Sequence, residues 1–290
     1  MNGDKKKTIP CIRSARGYRL YGQDGQRYID FYQNDGYAMN GHRPAEVLQA
    51  LKSSAARGVW AEYPSRWQGK IESLLTRLLP FVGKVYLYPN MEMALSDVAD
   101  FFHARVDVED TPLGFYDQEE GRTETADEAG NKKVRVLRWR PFSLDEKQEK
   151  EVLAGKRGQL CIPLIPFPGK FLPVPVCSLP GGAFSPRELP EISPVLGRLM
   201  IKSILQTMKR IEGCASENWD DFDLPGVERV GPYIRIRTDQ KGYNELFSHM
   251  LGEGVLLPPS RHIPAIIPGE YNEGDVLPLK RALRRLYGNS

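Results

Sequence analysis

The residues able to do chemistry are few, and most lack a partner at a useful spacing. The four cysteines, Cys11, Cys161, Cys177 and Cys214, show no Cys-x-x-Cys spacing and no paired histidines, so they read as reduced thiols rather than a metal site or a disulfide framework. Of the four histidines, His103 falls on an expected helix face, and His249 and His262 have no acid or nucleophile at a recognisable spacing. Ser260 lies outside any Gly-x-Ser-x-Gly context, and Gly181-Gly182 is too short for a nucleotide loop. A hydrolase or an NTPase therefore has no motif to rest on. Lys170, in Pro168-Gly169-Lys170-Phe171-Leu172-Pro173, is a lone lysine in a loop, and such a side chain is ordinarily solvated.

The totals set the class. At 290 residues with 41% apolar composition, the chain is long enough for one large or two modest folded domains. A net charge of +3 with acids and bases nearly balanced demands no nucleic-acid surface, and Lys5-Lys6-Lys7 reads as a solvated terminus. The longest apolar candidate, Leu160 to Cys177, is interrupted by five prolines and a lysine, so no membrane span is expected. The N-terminus lacks an apolar signal core, which places the protein in the cytoplasm.

The elements that would position the reactive groups follow from periodicity. Tyr18 to Tyr21 alternates like a strand, Asp24-Gly25 is a two-residue turn signal and Arg27 to Phe31 alternates again, giving a β-hairpin. After Gly41-His42-Arg43-Pro44 the period changes: Val47, Leu48, Leu51 and Ala55 share a helical face. A second amphipathic helix carries Ile71, Leu74, Leu75, Leu78 and Leu79 and is closed by Pro80. Val85 to Tyr88 then reads as a strand, and Met91 to Arg105 as a helix with Asn90 as N-cap. From Val106 to Lys133 the chain is acidic and polar with almost no apolar period, and reads as a surface excursion.

Beyond it, Val134 to Trp139 is a strand, Ser143 opens a helix to about Leu153 through a Ser143-x-x-Glu146 capping box, and Gln159 to Ile165 is an apolar strand. The run Phe167 to Pro175 is too rich in proline for a helix or a central strand. Val195 to Ile211 is strongly helical. Val227 to Gly231 and Tyr233 to Ile236 are strands, Tyr243 to Leu251 a helix, and Pro278 to Leu286 a final helix with its proline in the first turn.

The hairpin residues Asp24-Gly25-Gln26-Arg27-Tyr28-Ile29-Asp30, then Gly41-His42, two helices and a strand, together with Gly254-Val255-Leu256-Leu257-Pro258-Pro259-Ser260, resemble the class III (fold-type I) pyridoxal-phosphate aminotransferases, most closely glutamate-1-semialdehyde aminomutase. The likeness covers roughly Gly17 to Phe101 and Val227 to Leu286, and the middle only by order of elements. It implies an α/β fold: a reduced, mainly parallel large domain at 45–211, and a small α/β domain built from both chain ends, the hairpin segment 1–44 and residues 212–290. His42 matches a turn of that family and is there more often structural than catalytic.

The resemblance also says where the cofactor chemistry belongs. Family members need a Schiff-base lysine, an aspartate on the pyridine nitrogen, backbone amides and a hydroxyl around the phosphate, and an aromatic ring over the cofactor plane. The phosphate motif falls on Pro89-Asn90-Met91-Glu92-Met93, where proline removes a donor, Asn90 replaces a glycine and Met91 replaces a hydroxyl. Tyr116, in Gly114-Phe115-Tyr116-Asp117, lies roughly where the stacking tyrosine is found. Lys170 to Ser193 contains no aspartate, and the strand carrying the family's aspartate and the one bearing its lysine are expected to be missing.

The resemblance therefore implies a shortened aminotransferase-like protein without competent pyridoxal-phosphate catalysis. It would act as a homodimer or with a partner protein, in small-molecule binding or assembly, away from membranes and nucleic acid. The alternative is a functional aminotransferase or aminomutase with its Schiff base at Lys170, Tyr116 stacking, and pyridoxal 5'-phosphate as cofactor.

Overall fold

The computed structural model describes residues 9–58, 60–64, 66–112, 132–154, 158–167, 169–213 and 219–287. Contacts divide the chain into two compact units, one from the two chain ends (Met1–Pro44 with Cys214–Ser290) and one from Ala45–Gly213.

In the end-built unit, β1 (Ile12–Arg16), β2 (Arg19–Gly22) and β3 (Arg27–Asp30) form an antiparallel run, and β11 (Val255–Leu256) adds in parallel to β3. The hairpin expected between Tyr18 and Phe31 is present, but its turn is longer than two residues. The Gly25 amide closes a turn on the Gly22 carbonyl, and Gly25 then adopts φ +83° before Gln26, the three-residue connection that needs a glycine in the left-handed region. Asp24 fixes it by accepting from the Gln26 amide and from the Tyr28 hydroxyl.

A second sheet of the same unit sets β10 (Tyr233–Ile236) between β9 (Val227–Val230) and β12 (Ala265–Ile266). Helices α6 (Gln240–Gly252) and α7 (Glu273–Tyr287) complete it. Its core joins Tyr28, Phe31, Ile234, Phe247, Leu256 and Leu283. The final helix starts five residues before the expected Pro278, because Asn272 and Asp275 close its first turn with reciprocal hydrogen bonds. Pro278 therefore sits inside the helix rather than in its first turn.

The central unit is a five-stranded sheet, β4 (Val85–Tyr88), β5 (Arg105–Asp110), β6 (Lys133–Arg138), β7 (Leu160–Cys161) and β8 (Val174–Ser178), in the order β4-β8-β7-β6-β5. Period-two alternation sorts its side chains. Val85, Leu87, Leu137, Cys161 and Cys177 enter a core built with α1 (Ala45–Ala55), α2 (Trp67–Leu78) and α5 (Pro194–Glu212). Tyr88, Val134, Val136, Leu160 and Val176 enter another with Ala94 and Val98 of α3 (Met91–Phe102). Both faces of this mixed sheet are covered, as its parallel half, β5 to β7, requires.

Four local expectations are corrected here. Arg105–Asp110 is a strand paired in parallel with β6 and not the start of an excursion, because its backbone completes the ladder whatever its charged side chains prefer. The helix α3 ends at Phe102, and His103 is its left-handed cap at φ 47° instead of a face residue. Helix α4 (Glu146–Leu153) is capped by Asp145 with Gln148, not by Ser143, which is buried and bonded to Arg140.

The fourth correction concerns Pro175, which lies in a strand flanked on both sides. Ser178 bonds Lys84 and Gly83 on the β4 side, whereas Leu179 bonds Gln159 on the β7 side. Even residues therefore face β4 and odd ones face β7. The missing N–H of Pro175 points past the short β7, where the register set by Cys161 opposite Cys177 would put Pro163. Two prolines end that ladder on the β8 side, so the regular strand in the apolar stretch Gln159 to Ile165 is Leu160–Cys161, while Ile162 and Leu164 go on bonding Leu137 and Trp139 on the β6 side.

Candidate functional site

Strand direction gathers the chemistry of the central unit on one edge. Strands β4, β5, β6 and β7 run the same way and β8 alone runs against them. The carboxyl ends of four strands and the amino end of β8 therefore share an edge, the place where open α/β sheets bind ligands. Asn90 and the start of α3 leave it after β4, and Lys170 precedes β8 by four residues. Asp110 and Thr111 end β5, and Arg138 and Arg140 end β6.

At the start of α3 the Asn90 side-chain oxygen accepts from the Met93 amide at 2.9 Å, with Asn90 extended at φ −155°. That is an N-cap, and it occupies one of the donors a helix start offers to an anion. Met91 packs partly buried against the core around Tyr88 and Val98. The helix is pinned to β4 by the Tyr88 hydroxyl, which donates to Asp97 at 2.5 Å. Burial, then this bond, then the charges of Asp97 and Tyr86 push the Tyr88 phenol up, so it stays protonated.

Lys170 is exposed, in a turn tightened by the edge-on contact of Phe167 with Phe171 at 4.8 Å. Tyr116 lies outside the described residues. The edge thus brings together the exits of Asn90, Met91 and Lys170, and Tyr116 has no described place.

Sequence reasoning missed the group at the other end of the edge. Arg140, 1% exposed, grips Asp110 through Nε at 2.8 Å and Nη2 at 2.7 Å, and Arg138 reaches the same carboxylate at 3.2 Å. The Arg140 amide donates to Thr111 Oγ1, whose hydroxyl donates to the Arg138 carbonyl. A bidentate guanidinium on a carboxylate is among the stronger protein hydrogen-bond pairs. Here it ties the ends of β5 and β6 and engages the Asp110 carboxylate with two cations. The signal in the sequence was Arg138-x-Arg140 just past a strand, readable only once β5 is recognised.

In the end-built unit, Asp30 is buried and its Oδ2 meets His42 Nε2 at 2.6 Å, while its Oδ1 accepts the Tyr32 and Gln33 amides. It anchors Gln33, Asn34, Asp35 and Gly36, four successive residues at φ 47°, 49°, 60° and 91°. Three non-glycine residues in that region store strain, about 1–3 kcal/mol each. His42 therefore has a structural partner. Among the described residues no group of three or more His, Cys, Asp or Glu could hold a metal ion, and no helix is long and apolar enough to cross a membrane.

No protein-family model matches the chain. Solved structures do. Ornithine aminotransferase from Plasmodium yoelii aligns over 95% of this chain and 93% of that one, with a TM-score of 0.65 and 14% identity. An omega-transaminase from Sphaerobacter thermophilus covers 95% and 90% at 0.61 and 13%. A glutamate-1-semialdehyde aminomutase from Pseudomonas aeruginosa PAO1 covers 95% and 87% at 0.60 and 15%. The fold is that of the class III, fold-type I aminotransferases.

Among curated proteins, an uncharacterized protein of Borreliella burgdorferi is 23% identical over 269 residues, 93% of this chain and 88% of its own length. Glutamate-1-semialdehyde 2,1-aminomutase of Rhodopirellula baltica is 33% identical over only 76 residues, 26% of this chain and 17% of the enzyme. The aminotransferase-fold likeness therefore runs the length of the chain, and the sequence likeness to a named enzyme spans about a quarter of it.

A similar structure, the ornithine aminotransferase of Toxoplasma gondii at 12% identity, shows partial occupancy of pyridoxal phosphate at its active site. The start of α3, which the sequence resemblance sets where the family holds the phosphate, does not fit one. Pro89 has no N–H, the Met93 amide is taken by Asn90, Glu92 places a carboxylate in the first turn, and residues 89–93 include no hydroxyl. A helix start with a negative side chain and an occupied amide offers less of the anion-holding field that exposed N–H groups supply.

Proposed function

We propose that this aminotransferase-fold chain has lost pyridoxal-phosphate catalysis and serves as a small-molecule-binding or assembly subunit. The observation that carries the reading is the self-capped start of α3, where Asn90 takes the place of an anion. The absence of any aspartate between Lys170 and Ser193 agrees with it. Assembly, as a homodimer or with a partner protein, is supported by Trp60 and Tyr63, 56% and 60% exposed between α1 and α2. Large aromatic side chains in water are enriched where proteins meet.

A second reading, a working aminotransferase or aminomutase with its Schiff base at Lys170, is favoured by one observation. The turn holding Lys170 and the start of α3 leave the sheet on the same edge. Adding pyridoxal 5'-phosphate to the purified chain and following the visible spectrum separates the two. The first reading expects no band that depends on Lys170 and no rise in melting temperature. A band fixed by borohydride and abolished by Lys170→Ala overturns it.

A further inference from the structure

Helices α6 and α7 of the end-built unit line an open groove of about 440 Å³, and exposed side chains of opposite charge stand along it. Glu245, His249 and Glu253 follow one another at intervals of four along α6 and share one face, and all three line the groove. Arg281 and Arg285 line it from α7 with the same spacing. Between the walls lie Leu246, Ala282 and Leu286, the last 57% exposed. None of the five charged or titratable side chains forms an ion pair with a described residue within 4.0 Å.

Exposed charges of opposite sign on the two helices, with no ion pair among them and apolar side chains between, leave both signs for a ligand. The groove falls in the usual range for small-molecule sites, roughly 300–1,000 Å³. An anion alone would meet the arginines and be repelled by the glutamates, and a cation alone the reverse. A molecule with both charges at the two ends of an apolar stem satisfies both walls and covers the floor. Arginine forks suit a carboxylate in particular.

We propose that the α6–α7 groove binds a small zwitterion, an ω-amino acid in chemical class, with its carboxylate on Arg281 and Arg285 and its ammonium on Glu245 and Glu253. The groove lies at α6 and α7 and is independent of whether the central unit retains a cofactor.

The test is a titration of the full chain with 6-aminohexanoate, hexanoate and hexylamine, followed by calorimetry and by amide chemical shifts. One molecule of 6-aminohexanoate is expected to bind with Kd of about 1 mM or tighter, at least about tenfold better than either control. Arg281→Gln with Arg285→Gln should bring its affinity down to that of hexylamine, and Glu245→Gln with Glu253→Gln down to that of hexanoate. Absence of saturable binding at about 20 mM, equal binding of hexanoate, or unchanged affinity in both variants would overturn the proposal. Should a variant fail to fold, the wild-type shifts decide: perturbations outside α6 and α7 also overturn it.

Discussion

At the residue scale, single partners set what each group can do. Asn90 spends its side chain on the Met93 amide, so Asn90→Ala should lower stability by about 1 kcal/mol, read as a shift in the urea midpoint. An unchanged midpoint would mean that the cap contributes nothing and that the amide remains open to a ligand. Burial alone would raise the Asp275 carboxyl, but hydrogen bonds from Arg19 and the Asn272 amide, with the charges of Arg19 and Arg27, hold it below its ordinary value of 3.8.

A carboxyl depressed by folding stabilises the protein fully above its unfolded pKa, and that contribution fades as pH falls through the lower folded one. Asp275→Asn should therefore cost about 1.5–3 kcal/mol at pH 7, with the difference from wild type shrinking in the acid limb below about pH 4. A difference that does not change with pH would contradict the ion pairs. Thiols divide in the same way. Burial pushes Cys161 up to about 12, and burial with the nearby Cys161 and Glu72 pushes Cys177 well above the ordinary thiol value, whereas Cys11 is exposed. Iodoacetamide at pH 8 should label Cys11 and spare Cys161 and Cys177 until the chain is denatured, as read by peptide mass spectrometry. Labelling of either buried thiol in the native state would show that its strand opens.

At the element scale, close approach overrides propensity. Gly197 lies inside α5, where glycine costs about 1 kcal/mol relative to alanine. A Cβ there would meet the Trp67 side chain of α2 at 2.9 Å. Gly197→Ala should consequently destabilise by about 1–3 kcal/mol despite its better helix propensity, and a gain in thermal midpoint would show that α2 yields. The amphipathic helices α1, α2 and α5 were legible because each presents one apolar stripe to a core. Strand β5 was not, because Val106 and Val108 alternate with charged residues and only pairing with β6 makes that backbone a strand. The same limit applies to Pro175, whose tolerance depends on how far β7 extends.

At the scale of the whole molecule, assembly should be visible in solution. Light scattering should report twice the chain mass if the chain forms a homodimer, and Trp60→Ser with Tyr63→Ser should shift it toward one chain without lowering the melting temperature. A wild-type mass of one chain at working concentration, with no partner captured, would remove the assembly half of the proposed function.

Taken alone, the sequence determined the local pieces, the hairpin residues, the helix stripes and the cap at Asn90, because period and capping are written within a few residues of one another, while the α/β class came from the family resemblance. The edge on which Asn90, Lys170, Asp110 and Arg140 gather was decided only by tertiary structure. It depends on β8 inserting between β4 and β7, a pairing of Tyr88 with Val174 across a long stretch of chain. Periodicity tells a strand which face to bury. It does not tell the strand which neighbour to choose or in which direction to run.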